Sequence, residues 1–183
     1  MKGTTATLMR LLLGEYYYEP SVRLLTGKAL SSSPTAPMAE VAALRGRRMV
    51  VMNEPAASSK ISVERMKAWA GGDTISARLP HSQRVLEFLP QFTLHLCCND
   101  LPGFSGMDGG VERRLKVIPF LGDFRGRAKD AGIKTKLSRE VVYRQAFVLM
   151  LLEARRRGMP EEPGVVHEAT QKYLKRGGQK TAA

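Results

Sequence analysis

Apolar residues occur along this chain in two kinds of pattern. Short runs or alternation predict strands, and helical spacing predicts helices. Short continuous apolar runs at 48–52 and 92–98 are typical of buried parallel strands. A third run, from Leu115 to Phe120, predicts another strand. Two alternating runs within 74–88 predict a hairpin around Pro80-His81-Ser82-Gln83.

Helical spacing of apolar positions predicts five further elements. They cover residues 4–13, 38–44, 61–70, 138–157 and 165–174. Ser138 is a candidate N-cap, and Gly14 and Gly71-Gly72 are natural stops. The small, polar stretch 26–37 predicts a loop or a disordered crossing. Strands that alternate with helices and then give way to helices alone predict an α/β core with an α-helical C-terminal extension.

The charge of the chain is large and uneven. The 183 residues include 29 Lys and Arg against 17 Asp and Glu, a net charge of +12. Residues 1–110 carry 12 basic and 9 acidic side chains, whereas residues 111–183 carry 17 and 8. Such a basic half favours a polyanionic partner, most commonly nucleic acid. A basic surface that only confers solubility, or one that meets an anionic membrane, is the alternative.

Composition excludes several classes of protein. A hydrophobic content of 43% with 25% charged residues is typical of a globular chain and excludes wholesale disorder. The apolar run from Phe147 to Leu152 is far shorter than the roughly 20 residues of a membrane span. Met1-Lys2-Gly3 leads into an amphipathic stretch, so no secretory leader is expected. Neighbouring Cys97 and Cys98 predict neither a mutual disulfide nor a metal cluster. We therefore expect a soluble protein of a reducing compartment, with no membrane partner.

Two polar residues follow the predicted parallel strands and could carry chemistry. Glu54 comes directly after the strand at 48–52, where nucleotide hydrolases place a base beside Mg²⁺ and the γ-phosphate. Asn99 follows the strand at 92–98 and could polarise an attacking water from the same sheet edge. Taken singly, a surface glutamate and a turn asparagine explain these residues as well.

Basic residues mark two further candidate sites. Arg113-Arg114 could neutralise charge on a transferred phosphoryl group, on a neighbouring subunit's nucleotide if the protein is oligomeric. Arg78, His81 and Arg84 lie around the tip of the predicted hairpin and suit contact with phosphates of a nucleic-acid backbone. A solvated basic turn is the alternative in both cases.

These weak signals occur in a fixed order that resembles a known family. The stretch RGRRMVVMNEP, followed by KISVERMKAWAGGDTISARLPHSQRVLEFLPQFTLHLCCNDLP and DGGVERRLKVIPF, resembles the core of superfamily 3 helicases. More specifically, it is similar to the primase-helicase ATPases of large DNA viruses, related to poxvirus and phage or plasmid primase-helicases. The resemblance covers about residues 2–125 and is most specific over 66–120.

The resemblance implies a role for each candidate residue. Glu54 falls on the Walker B acid, and Asn53 occupies a position where a second acid often stands, which weakens the expected binding of Mg²⁺. Asn99 falls on the sensor asparagine and Arg114 on the arginine finger. The segment 78–84, with Arg78, His81 and Arg84, corresponds to the hairpin that contacts DNA. Glu112 replaces a tryptophan that the family often has.

The phosphate-binding loop of the family would lie at the very start of this chain. Counting back from Gly14-Glu15-Tyr16 puts the loop lysine on Lys2. Met1 then occupies the position of the family's glycine, and Gly3 that of its Ser or Thr, for which Thr4 is a candidate substitute. The resemblance therefore implies that the preceding strand and most of the loop are missing. We expect a C-terminal piece of a larger protein, or a truncated relic, that binds ATP poorly by itself.

Taken together, the resemblance implies an AAA+-type P-loop NTPase core at 1–125 and a basic α-helical extension at 126–183. The implied cofactors are ATP and Mg²⁺, with Lys2, Thr4 and Asn53 binding the cofactor and Glu54 and Thr4 as metal ligands. The implied activity is ATP-dependent DNA helicase action by a homo-oligomeric, hexameric ring inside the cell, in a viral replication compartment of the host cytoplasm or nucleus. The alternative is a non-catalytic remnant of such a helicase that still binds nucleic acid.

Overall fold

The computed structural model describes residues 2–26, 38–55, 59–79, 81–82, 84–106, 108–122, 130, 132–158 and 161–179. The predicted loop at 26–37 lies outside these residues except for Thr26. The helices are α1 Lys2–Leu13, α2 Arg23–Thr26, α3 Ala39–Ala42, α4 Val63–Gly71, α5 Gly109–Glu112, α6 Ile133–Arg139, α7 Val141–Arg156 and α8 Gly164–Gln179. The strands are β1 Tyr17–Tyr18, β2 Met49–Asn53, β3 Lys60–Ile61, β4 Ile75–Arg78, β5 Val85–Phe88, β6 Thr93–Cys97 and β7 Gly103–Phe104.

The chain forms two compact units. A helical unit comprises residues 1–14 and 116–170, and a sheet unit comprises residues 15–115 and 171–183. Helix α8 contributes its first part to the helical unit and its remainder to the sheet unit. The chain is thus a mixed α/β protein with a small parallel sheet. The division of function between 1–125 and 126–183 stays a prediction.

The predicted strands at 48–52 and 92–98 are confirmed and are neighbours in one sheet. Strand β2 lies between β1 and β6, and all three run parallel. Val50, Val51 and Met52 are completely buried, as expected of a parallel strand that is covered on both faces. Because the strands are parallel, the residues that follow β2 and β6 leave the sheet at the same edge.

The helix predicted at 61–70 is confirmed, with a start two residues later. Ile61 instead pairs in the short parallel strand β3. The Oγ of Ser62 then accepts a hydrogen bond from the backbone N–H of Arg65 and caps the first turn of α4. Gly72, with φ of 86°, ends the helix in the left-handed conformation that glycine adopts at low cost.

The predicted hairpin is also confirmed. Strands β4 and β5 are antiparallel, and Arg78 lies opposite Val85. Ile75 and Ala77 are buried on one face of β4, which is the alternation expected of a half-covered strand. Residues 81–82 are the described part of the tip.

The strand predicted from Leu115 to Phe120 is wrong. This segment has no regular secondary structure in the described part of the chain. The backbone N–H of Val117 donates to Oγ1 of Thr170 on α8 at 2.9 Å, rather than to a neighbouring strand. Pro119 has no N–H to offer to a ladder, and Ile118 is 63% exposed. Two backbone positions of this apolar run thus offer no N–H to a neighbouring strand, and the run lacks the buried face of a strand.

The long helix predicted from Ser138 is confirmed in its body and wrong at its start. Ser138 lies in α6, where its hydroxyl donates to the carbonyl of Lys134 at 2.7 Å instead of capping a helix. Glu140, with ψ of 120°, separates α6 from α7. The helix predicted at 165–174 is confirmed within α8. No helix in the described residues is both long and apolar enough to cross a bilayer.

Tyr173 joins helix α8 to the core of the sheet unit, which leads to a stability prediction. Its ring packs against Phe104 with centroids 5.6 Å apart, and its buried hydroxyl donates to the carbonyl of Pro102. Tyr173→Phe leaves that carbonyl without the hydroxyl, so the free energy of unfolding should fall by about 1–3 kcal/mol. Urea denaturation measures this, with Tyr16→Phe as the control, because Tyr16 is 56% exposed. Equal values for both variants would contradict the prediction.

Candidate nucleotide site at the edge of the parallel sheet

The two polar residues predicted after the parallel strands emerge at one edge of the sheet. Asn53, the last residue of β2, lies opposite Cys97, the last residue of β6. Glu54 follows directly, and its backbone N–H donates to the carbonyl of Cys97 at 2.9 Å. Asn99 lies two residues beyond the end of β6 and is exposed. The register of one strand pair therefore brings Glu54 and Asn99 to the same edge.

The backbone of Glu54 is in an uncommon conformation. Its φ is 47°, in the left-handed region that residues other than glycine rarely adopt. Such outliers persist only where the surrounding structure imposes them, and they are concentrated at functional sites. Here the turn makes the chain leave the sheet abruptly, so that an exposed carboxylate lies directly after a buried strand.

A second carboxylate, which the sequence analysis did not single out, contacts this edge from the neighbouring strand. Oε1 of Glu19, just after β1, accepts a hydrogen bond from Nδ2 of Asn53. The other oxygen of Glu19 accepts one from the hydroxyl of Tyr17 at 3.4 Å. The dipeptide Glu-Pro was the available signal, because it follows β1 as Glu19-Pro20 and β2 as Glu54-Pro55.

The side chains at this edge suit a hard cation. Asn53 and Glu54 offer amide and carboxylate oxygens, which are the ligands that Mg²⁺ prefers. The described residues contain no group of three His, Cys, Asp or Glu side chains arranged to hold a metal ion. Mg²⁺ in nucleotide enzymes is usually bound through one or two carboxylates together with phosphates of the substrate.

Histidine does not contribute a base to this edge. His95 lies in the middle of β6, and burial lowers its pKa below the usual value. The side chain is therefore neutral at pH 7 and packs within the sheet unit. The titratable side chains described at this edge are therefore carboxylates, Glu19 and Glu54 among them.

Arg114 is held against two helices of the sheet unit. Its Nη1 donates to the carbonyl of Gly110 in α5 at 3.0 Å. Its Nη2 lies over the end of α4, where a Cβ added to Gly71 would be 3.3 Å away. Arg114 is exposed, so the guanidinium can meet a group outside this chain. Val111 in α5 is completely buried, and Glu112 is exposed.

Helix α5, which ends two residues before Arg114, is anchored at its start. Asp108 caps the helix by accepting hydrogen bonds from the backbone N–H groups of Gly110 and Val111. Lys67 on α4 forms an ion pair with the same carboxylate. The hydrogen bond from Lys67, with those from the backbone, holds the pKa of Asp108 below its usual value. The cap therefore stays ionised at neutral pH and links α5 to α4.

The three basic residues of the hairpin differ in exposure. His81, with φ of 61°, and Arg84 are exposed at the tip, and the hydroxyl of Ser82 accepts the N–H of Arg84 at 3.1 Å. Arg78 is half-buried, and its Nε is buried with no hydrogen-bond partner in the described residues. The tip therefore presents His81 and Arg84 to the outside.

The residues predicted to bind phosphate lie in the helical unit. Lys2 begins α1, and its side chain lies outside the described residues. Thr4 is half-buried in the first turn of the same helix. Gly14-Glu15-Tyr16, from which the loop position was counted, forms a short 3₁₀ turn after α1. The roles assigned to Lys2 and Thr4 stay predictions.

Comparison with known proteins adds two relatives. No protein-family model matches the chain. A protein of Acanthamoeba polyphaga mimivirus named "putative helicase" is 36% identical over 193 aligned positions, which cover 96% of this chain and 20% of the relative. A protein of frog virus 3 with the same description is 34% identical over 126 positions, covering 67% of this chain and 13% of the relative. The chain thus spans about a fifth or less of each relative's length, and over that span it is a homologue of helicase-named proteins of large DNA viruses.

Proposed function

We propose that this chain is part of the ATPase domain of a superfamily 3, primase-helicase type DNA helicase with an AAA+-like P-loop core. The observation that carries the proposal is the pairing of β2 with β6, which brings Glu54 and Asn99 to one edge of a parallel sheet. In open α/β sheets, ligands bind at the carboxyl ends of the strands. The names of the two viral relatives support the same assignment.

The proposed chemistry assigns one task to each residue at the edge. Glu54 accepts the proton of the attacking water, because a carboxylate at the end of a buried strand can be held within hydrogen-bond reach of it. Asn99 orients that water and contacts the γ-phosphate. Asn53 and Glu54 would hold Mg²⁺ through their side-chain oxygens, and the ion would supply positive charge to the phosphates of the nucleotide. The roles of Lys2 and Thr4 in phosphate binding stay a prediction.

Arg114 completes the proposed site of a neighbouring subunit. One nitrogen of its guanidinium donates a hydrogen bond to the carbonyl of Gly110. The exposed guanidinium can also approach the phosphates of the nucleotide that the next subunit of the ring binds. Hydrolysis would then be coupled to translocation along DNA, with the hairpin tip as the part that contacts the strand. We propose that this activity serves viral DNA replication, in a viral replication compartment of the host cytoplasm or nucleus.

The second candidate function is a non-catalytic remnant that still binds nucleic acid, favoured by the basic composition of residues 111–183. The two proposals differ in their dependence on nucleotide. We therefore propose to measure ATP hydrolysis and DNA affinity for the 183-residue chain and for the same chain with any coding sequence upstream of Met1. The ATPase is supported if single-stranded DNA stimulates hydrolysis and if the DNA affinity changes with the bound nucleotide. A DNA affinity that ATP does not alter, without hydrolysis in either protein, supports the remnant.

The hairpin should contribute to the salt dependence of DNA binding. Each phosphate that a Lys or Arg neutralises adds about 0.9 to the slope of log K against log salt on duplex DNA. Replacing both Arg78 and Arg84 with Ala should therefore reduce the slope by roughly two if both touch phosphate. Fluorescence anisotropy of a labelled oligonucleotide over a range of salt concentrations measures this.

A matched control removes two charges from the basic C-terminal helices. Arg156 and Arg157 are exposed on or just after α7, and both form ion pairs with Glu153. Replacing them with Ala should leave the slope nearly unchanged. The opposite result, with a change in the control and none in the hairpin variant, would assign DNA binding to the helices.

A further inference from the structure

The side chain of Asn53 makes one contact that determines which way its amide faces. Nδ2 donates to Oε1 of Glu19. An amide has one donating end and one accepting end, whereas a carboxylate only accepts. The contact therefore holds the nitrogen of Asn53 toward Glu19 and leaves Oδ1 as the end that can bind a cation.

Glu19 is itself held in place. Its second carboxylate oxygen accepts a hydrogen bond from the hydroxyl of Tyr17, whose side chain is only 7% exposed. The next residue, Pro20, is buried, and its ring fixes its own backbone φ. The carboxylate of Glu19 thus contacts a buried tyrosine with one oxygen and the amide of Asn53 with the other.

The chemistry of position 53 explains why such an orienting contact would be useful. A carboxylate at this position would present oxygen at either end without any orienting partner. An Asp at position 53 would also bring a second negative charge against Glu19, which is unfavourable. An amide there avoids that repulsion but requires its oxygen end to be selected.

We infer that Glu19 is a positioning residue of the proposed nucleotide site, where it turns Oδ1 of Asn53 toward the divalent cation. The inference rests on the proposed function and deepens it, since it names how an amide serves in place of an acid. Glu19 acts through Asn53 and does not itself bind the cation.

The test measures binding of Mn²⁺ in the presence of ADP by electron paramagnetic resonance, on the 183-residue chain and on the chain with any upstream coding sequence. Glu19→Ala removes the acceptor and should raise the Kd for Mn²⁺ by about 10–100-fold, as loss of an outer-shell partner typically does. Glu19→Gln keeps a carbonyl that can accept from Nδ2, so its Kd should stay close to that of the unaltered protein. Glu64→Ala, which removes another exposed carboxylate of the sheet unit, is the control.

A second background separates positioning from other roles. In an Asn53→Asp protein, Glu19→Ala should not raise the Kd, because a carboxylate at position 53 needs no orientation and loses the repulsion from Glu19. Circular dichroism of each variant verifies that the fold is retained, which the exposure of both side chains favours.

Three results would overturn the inference alone, and a fourth would overturn the proposed function as well. Equal losses in Glu19→Ala and Glu19→Gln would make Glu19 a direct ligand, and equal losses in both backgrounds would make its role structural. An unchanged Kd in Glu19→Ala, with normal binding by the unaltered protein, would refute the positioning role and leave the proposed function intact. Failure of the unaltered protein to bind Mn²⁺ with ADP in either form would instead overturn the proposed function, and this inference with it.

Discussion

Replacing Glu54 with Gln is expected to abolish ATP hydrolysis while leaving nucleotide binding nearly unchanged. The carboxylate lies directly after the buried strand β2, with its backbone N–H tied to the carbonyl of Cys97. Gln has the same shape and preserves that backbone contact, but it cannot accept a proton from water. Loss of a positioned general base typically slows a reaction by about 10²–10⁴-fold. Steady-state hydrolysis and binding of a fluorescent ADP analogue measure the two effects.

Glu64→Gln is the matched control for this experiment. Glu64 is an exposed glutamate in the first turn of α4, in the same unit but on a different element from β2 and β6. Its replacement should leave the rate of hydrolysis within the error of the assay. A Glu54→Gln protein that hydrolyses ATP as fast as the unaltered one would refute the assignment of the base. The measurement uses whichever form hydrolyses ATP, the 183-residue chain or the chain with upstream coding sequence.

The parts of the fold that the sequence predicts are those in which local pattern and tertiary packing agree. β2 is an apolar run that is buried on both faces, and the hairpin alternates because one face of β4 is covered. A shared edge for the ends of β2 and β6 was also predictable, since the carboxyl ends of parallel strands meet at one edge of a sheet. The same rule predicts that Glu54 and Asn99 lie at the same edge of the sheet.

The wrong predictions concern segments whose local sequence pattern suits more than one structure, so that tertiary contacts decide which one forms. Leu115 to Phe120 has the apolar character of a strand, but Val117 bonds to Thr170 of a distant helix. Ser138 has the chemistry of an N-cap, yet it lies inside a preceding helix that the pattern did not indicate. β1 and β3 have only two residues each, which is too short for any period to be detected.

Glu19 was not predicted as a site residue, because its place also depends on tertiary contacts. It follows a two-residue strand, and its contact with Asn53 joins residues 34 positions apart. Only the Glu-Pro dipeptide after both strands pointed to it, and this dipeptide has little weight by itself because it also occurs at Glu162-Pro163. The tertiary pairing of β1 with β2 is what makes the dipeptide meaningful.

Replacing Arg114 with Ala is expected to stop hydrolysis as completely as the change at Glu54, but for a different reason. An arginine finger stabilises charge on the transferred phosphoryl group and contributes about 10³–10⁵-fold to the rate. Arg113→Ala is the matched control, because Arg113 is the adjacent exposed arginine, and it should retain most of the activity.

Mixing the two inactive proteins tests whether Arg114 acts on a neighbouring subunit. In a mixed ring, an Arg114→Ala subunit keeps Glu54 and can receive the finger of a Glu54→Gln neighbour, which restores one complete site at that interface. Random assortment at equal amounts makes roughly a quarter of the interfaces complete in a cyclic assembly. Hydrolysis should therefore reappear on mixing and should peak near equal amounts. Absence of activity at every ratio, under conditions in which the subunits exchange, would refute action in trans and leave Arg114 as a residue that only links α5 to α4.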